Sequence, residues 1–246
     1  MPPPVAPSMM IIHPSAKAMV ANLVAAFREN DGASGAAAAS TGSYELEGRL
    51  GEVGEDGRFV SSVPKEFMRE VVNAVEAFDQ WSNVTDWVEA HDVYYRDAQG
   101  REIRTSRRGA DVEHCHKEVL GTVTLRTDAA PNAMRVQLAR ETAVPASALP
   151  QVVAPEEVRY VRCKLRKSFF YGSWRYDLTQ CWHGASVAEV EQKRHRDEAP
   201  RFEIEIECTD PRNYVSMKGH TDDYVAHSLL LKLFNMYEKP PTHISA

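Results

Sequence analysis

Glu203, Glu205 and Glu207 occupy every second position near the C-terminus, and Glu45 and Glu47 repeat that spacing near the start of the patterned region. In a strand, side chains at i and i+2 point to one face, about 7 Å apart. Two such carboxylates can share one cation when a third reaches in from a neighbouring strand. All-oxygen ligation of this kind favours Mg2+ or Mn2+ over zinc. A second strand is nearly all base on one face: Arg162, Lys164 and Arg166, followed by Ser168. Such side chains donate the charge-assisted hydrogen bonds that phosphate oxygens accept. Mixed faces complete the set: Arg175, Asp177 and Thr179 on one strand, Arg135, Gln137 and Glu141 on another, and Arg49 beside Glu45 and Glu47.

These charges need strands to hold them, and the opposite faces supply the reason for strands. Tyr44, Leu46 and Leu50 oppose the first acidic pair, and Phe202, Ile204, Ile206 and Cys208 oppose the last three glutamates. Val161, Cys163, Leu165 and Phe169 back the basic strand, Trp174, Tyr176 and Leu178 the next, and Val136 and Leu138 the fifth. An ordinary half-exposed sheet gives the same alternation in any one strand. It does not explain one strand all acid and another nearly all base, because like charges at two-residue spacing repel. The segregation makes sense if the ionic faces meet across a common space.

Strand-like runs follow one another from Trp87 to Tyr95, Arg101 to Ser106, His114 to Leu120, Met134 to Val144, Val158 to Tyr171, Trp174 to Trp182 and Arg201 to Thr209, with a hairpin turn over Asp97-Ala98-Gln99-Gly100. Together with the strand at Tyr44 they predict an antiparallel sheet or barrel with few helices. One helix is expected from Pro64, capped by Ser61 or Ser62 and burying Phe67, Val71, Val75 and Phe78. Another is expected over Asp222 to Glu238, with Val225, Leu229, Leu233 and Met236 inward and Pro240 and Pro241 as its stop. Residues 1–43 read as a flexible extension in which Met19, Val20, Leu23, Val24 and Phe27 suit one face of a short helix. The Gly/Ala/Ser stretch from Gly32 to Gly42 then reads as a tether. The sequence shows no internal repeat.

The 246 residues carry a net charge of −6 and 43% hydrophobic residues. That suits a globular chain with a core and argues against a nucleic-acid coat or a membrane-surface protein. Any phosphate must then be held by a local basic cluster. Four scattered cysteines form no C-x-x-C pair, which argues against a zinc ribbon or disulfide scaffold and suits a reducing compartment. No apolar run reaches membrane-span length, and Met-Pro-Pro-Pro does not open a signal peptide. His114-Cys115-His116 reads as rim or surface, and the charged run Glu191 to Glu198 as a solvated connection. Gly32, Gly35 and Gly42 lack the spacing of a nucleotide-binding loop.

Glu45-Leu46-Glu47-Gly48-Arg49-Leu50-Gly51, paired with Glu203-Ile204-Glu205-Ile206-Glu207, resembles the two glutamate motifs of the triphosphate tunnel metalloenzymes. Arg162-Cys163-Lys164-Leu165-Arg166-Lys167-Ser168 and Trp174-Arg175-Tyr176-Asp177-Leu178-Thr179 are similar to the fungal and protozoan mRNA 5′-triphosphatase branch, and the compact size points to a protozoan member. The resemblance covers residues 44 to 239 and implies an eight-stranded antiparallel barrel with a charged interior and bracing helices, followed by a tail over 240–246. It implies metal ligation by Glu45, Glu47 and Glu207. Phosphate contacts would come from Arg104, Lys164 and Arg166, supported by Arg162 and Arg175. Glu141 would orient water, and Asp177, Glu203 and Glu205 would organise the bases and metal-bound waters, with Arg49 and Thr179 in support. Lys117 is a further phosphate contact unless His114 and His116 are the inward pair. The implied reaction removes the γ-phosphate from triphosphate-ended RNA in mRNA cap formation, in the nucleus, with a guanylyltransferase or the transcription machinery as associate. A nucleoside triphosphatase, thiamine triphosphatase or polyphosphatase on the same barrel, or a polyphosphate-binding module without turnover, are the rival readings.

Overall fold

Strands with one apolar and one ionic face can bury both only by curling, with the charges inside and the apolar side under helices. The computed structural model, which describes residues 12–33, 42–97, 99–127, 131–149 and 157–238, has this form. Its strands are β1 (Gly42–Val53), β2 (Phe59–Val60), β3 (Asn83–Val84), β4 (Val88–Arg96), β5 (Glu102–Arg108), β6 (Asp111–Arg126), β7 (Ala133–Ala143), β8 (Val158–Tyr171), β9 (Trp174–Gly184) and β10 (Arg201–Cys208). Eight of them form a closed antiparallel barrel in the order β10-β9-β8-β4-β5-β6-β7-β1, with β1 pairing back onto β10. The closing seam sets Glu47 opposite Glu207 and Arg49 opposite Glu205. The short strands β2 and β3 extend β1 and flank β8. The barrel is the expected one.

The helices are α1 (Pro14–Ala33), α2 (Lys65–Ala77), α3 (Val187–His195), α4 (Pro211–Ser216) and α5 (Asp222–Glu238). Leu46, Leu50, Leu138, Leu178, Ile204 and Ile206 turn outward from the barrel and meet Val20, Val24, Phe27, Val71, Val225, Leu229 and Leu233 from the helices in one core. Helix α5 lies so close to β1 that a Cβ at Gly48 would stand 2.5 Å from Leu233 Cδ1, and one at Gly121 would stand 2.3 Å from Leu23 Cδ1 of α1. At both positions the hydrogen side chain lets a helix touch the strand backbone.

Several local expectations change. Helix α2 has Pro64 at its N-cap and no side-chain cap from Ser61 or Ser62. Val63 donates its N–H to Phe202 O at 2.8 Å, which keeps the chain extended up to the proline. Met68, Val71 and Val75 are the buried residues of α2, while Phe67 and Phe78 are half-buried. Much of the run from Glu191 to Glu198 belongs to α3, where Ser186 accepts from Glu189 N–H at 3.2 Å and Val190 is buried. In the N-terminal stretch Val20, Leu23, Val24 and Phe27 are buried but Met19 is 47% exposed, and α1 packs on α5, β6 and β7. The tether lies largely outside the described residues, as do Pro240 and Pro241. Helix α5 spans the expected residues with the expected inner stripe.

Candidate active site

The inward faces enclose a cavity of about 280 Å³. Glu45, Glu47, Arg49, Arg104, Lys117, Arg162, Lys164, Arg166, Arg175, Glu205 and Glu207 all line it. The four remaining candidates lie behind these side chains. Asp177 accepts from Arg166 at 2.6 Å and from Arg175 at 3.0 Å, and its other oxygen takes the Ser168 hydroxyl at 2.6 Å. Thr179 accepts from Arg166 Nε at 3.0 Å. Glu203 accepts from Arg162 at 2.5 Å, and Glu141 from Arg104 at 2.9 Å. The open question about β6 resolves with Lys117 inward and ion-paired to Glu45. A register shift between Val119 and Gly121 offsets the rest of that strand. His114 bonds to Thr105 and His116 to the Glu102 carbonyl, and neither belongs to a metal-ligand group among the described residues.

The carboxylates divide by how well they are neutralised. Glu47, Glu205 and Glu207 each place an oxygen within 4.8 Å of the others. Burial pushes Glu47 up to about 7, against the pull of Arg49. Burial likewise pushes Glu207 up to about 8, although Arg175 donates to it at 2.5 Å. Glu205 behaves in the opposite way: burial raises it, but Arg49 at 3.2 Å and Arg166 outweigh burial and hold it well below the usual carboxylate range. Burial also raises Glu141. Two buried carboxylates that the surrounding bases leave under-neutralised, beside a third, form an all-oxygen site that suits a hard divalent cation.

On the basic side, burial and the neighbouring Arg166 bring Lys164 down to about 8, while Asp92 at 2.5 Å pulls the other way. Arg49, Arg104 and Arg135 each have a buried Nε with no hydrogen-bond partner. With Lys164 and the other lining arginines they gather a dense set of charged donors around the cavity, chemistry that suits a polyanion.

Sequence reasoning missed Asp92. It is fully buried, accepts from Ser106 at 2.7 Å and anchors Lys164. Its inward neighbours on β4 are Ala90 and Tyr94, so no ionic run marks its face.

No protein-family model and no curated protein sequence matches the chain. Its structure is similar to that of the Pct1 RNA triphosphatase of S. pombe, with a TM-score of 0.66 at 14% identity over 98% of this chain and 99% of that one. The same enzyme in complex with the Spt5 CTD gives 0.67 at 12% identity, covering 97% and 99%. The Mimivirus capping enzyme triphosphatase gives 0.57 at 14% identity, covering 90% and 98%. Over nearly its whole length, the chain therefore has the closed-barrel fold of these RNA triphosphatases.

Proposed function

We propose that the chain is a metal-dependent RNA 5′-triphosphatase, which converts triphosphate-ended RNA to diphosphate-ended RNA and phosphate as the first step of cap formation. The observation that carries this reading is the barrel interior, where under-neutralised carboxylates and a crowd of arginine and lysine side chains share one enclosed space. Glu45, Glu47 and Glu207 would hold Mg2+ or Mn2+, which when bound neutralises charge on the γ-phosphate. Glu205, not Glu45, groups with Glu47 and Glu207 within 4.8 Å, but it is already balanced by Arg49 and Arg166, so its part is to fix those guanidiniums. Lys117 would leave Glu45 for a phosphate oxygen when substrate arrives.

Lys164 and Arg166, aimed inward from one strand, would take the γ-phosphate oxygens, with Arg104, Arg162 and Arg175 around them. Glu141, held by Arg104, would orient a water in line with the bond to be broken. The water oxygen would form a bond to the γ-phosphorus as the bridging oxygen leaves with the β-phosphate, the proton shed by the water passing to an oxygen of the released phosphate. The negative charge developing on the bridging oxygen would be met by fixed donors that need no reorganisation. Capping places the enzyme in the nucleus beside a guanylyltransferase, and the S. pombe neighbour bound to the Spt5 CTD supports an association with the transcription machinery. No described helix is long and apolar enough to cross a membrane. The test is competition among triphosphate-ended RNA, ATP and tripolyphosphate: RNA should give the highest kcat/KM, and a preference for ATP or tripolyphosphate would replace this reading with one of its rivals.

A further inference from the structure

Adjoining the cavity is a second, of about 160 Å³, which shares Arg108, Lys164, Arg166 and Arg175 with the first. Its character differs. Val88, Ala90 and Phe170 add an apolar wall, and no carboxylate lines it among the described residues. The inward face of β8 runs Arg162, Lys164, Arg166, Ser168 and then Phe170, so a ring ends an otherwise polar series. Phe169, on the outer face, belongs to the hydrophobic core, whereas Phe170 belongs to no core cluster of the described residues. Val88, which shares this lining with Phe170, is 41% exposed.

We propose that this mouth seats the first nucleoside of the RNA, with its base stacked on the Phe170 ring against Val88 and Arg108 facing the α-phosphate. The assignment rests on the RNA 5′-triphosphatase reading and names how that site tells RNA from a bare phosphate chain. Phe170 lies four residues beyond Arg166 on β8, roughly 13 Å along the strand, so a nucleoside there is reached by a chain whose γ-phosphate sits at Arg166. The other end is less suited. Tyr94 stands six residues from Val88 along β4, roughly 20 Å away. Its ring is already stacked on Tyr160, with centroids 4.1 Å apart and planes at 14°, and the Glu102 carboxylate beside them in the cavity lining repels a nucleic-acid backbone.

The test is steady-state kinetics of Phe170→Leu and Phe170→Tyr on two substrates, a triphosphate-ended RNA oligonucleotide and inorganic tripolyphosphate. Leucine keeps the apolar volume and removes the π face. It should raise KM for RNA roughly tenfold, the size of a lost base–aromatic stack, and leave KM and kcat for tripolyphosphate near wild type, which also shows that the variant is folded. Tyrosine should restore RNA binding. An RNA KM unchanged in Phe170→Leu, or raised equally for both substrates, overturns the nucleoside seat alone. Wild-type turnover of tripolyphosphate without turnover of RNA overturns the RNA reading and the seat together.

Discussion

Lys164, Arg166 and Lys167 are neighbours on β8 that differ in the face they occupy. The first two line the cavity, while Lys167 pairs with Glu76 at 2.7 Å on the outside. Lys164→Ala and Arg166→Ala should each lower kcat about 10²-fold at saturating RNA, as expected for donors that strengthen in the transition state. Arg166→Lys should recover part of the loss, and Lys167→Ala should leave kcat near wild type. A crippled Lys167→Ala beside normal Lys164→Ala and Arg166→Ala would withdraw the assignment on this strand. Lys164 also sets a pH limit. With its pKa brought down to about 8, it is a cation below that value and neutral above it. The alkaline limb of kcat/KM, which reports the free enzyme, should therefore fall near pH 8, and Lys164→Arg should move it upward; a limb unmoved by the arginine would assign it to another group. Among the acids, Glu45→Ala, Glu47→Ala and Glu207→Ala should each abolish turnover with the fold intact by circular dichroism. Glu45→Gln should raise the metal concentration needed for half-maximal rate more than Glu205→Gln does, and the reverse order would exchange their roles. The inward position of these residues was legible because strand alternation has a period of two. Asp92 and Phe170 were not legible, because each departs from the character of its own face: Asp92 is a lone charge among Val88, Ala90 and Tyr94, and Phe170 a ring after Arg162, Lys164 and Arg166.

At the scale of elements, barrel strands and α5 could be read from periodicity because each buries one continuous stripe. Less was legible where a side chain from a distant element decides the outcome. Pro64 replaces a serine cap because Val63 is bridged to Phe202, and the docking of α1 depends on contacts with α5 across nearly the length of the chain. Helix α3 did carry a local signal, the Ser186-x-x-Glu189 capping pattern. Gly48 tests how tightly α5 is seated. Gly48→Ala drives a methyl into Leu233, and should cost about 1–3 kcal/mol in denaturant unfolding, the range for overpacking. Leu233→Ala should cost less in that background than in wild type, since the two side chains compete for one space; strictly additive effects would show that α5 shifts freely.

For the whole molecule, closure of the barrel gives the segregated charges their meaning. An all-acid strand and a nearly all-base strand are each self-repelling, but across one enclosed space each offsets part of the other's charge. That much follows from the spacing of Glu45, Glu47, Lys164, Arg166, Glu205 and Glu207, at sequence identities of 12–14% to the structural neighbours. The substrate is less legible, because charge pattern does not separate an RNA end from a free triphosphate. The central claim is most directly tested by following the label from RNA carrying either a γ- or a β-labelled 5′ phosphate, with Mg2+ or Mn2+ and with a chelator. The account predicts that the γ label appears as inorganic phosphate only when metal is present, while the β label stays on the RNA. Release of the β label, or γ release that survives chelation, would contradict it.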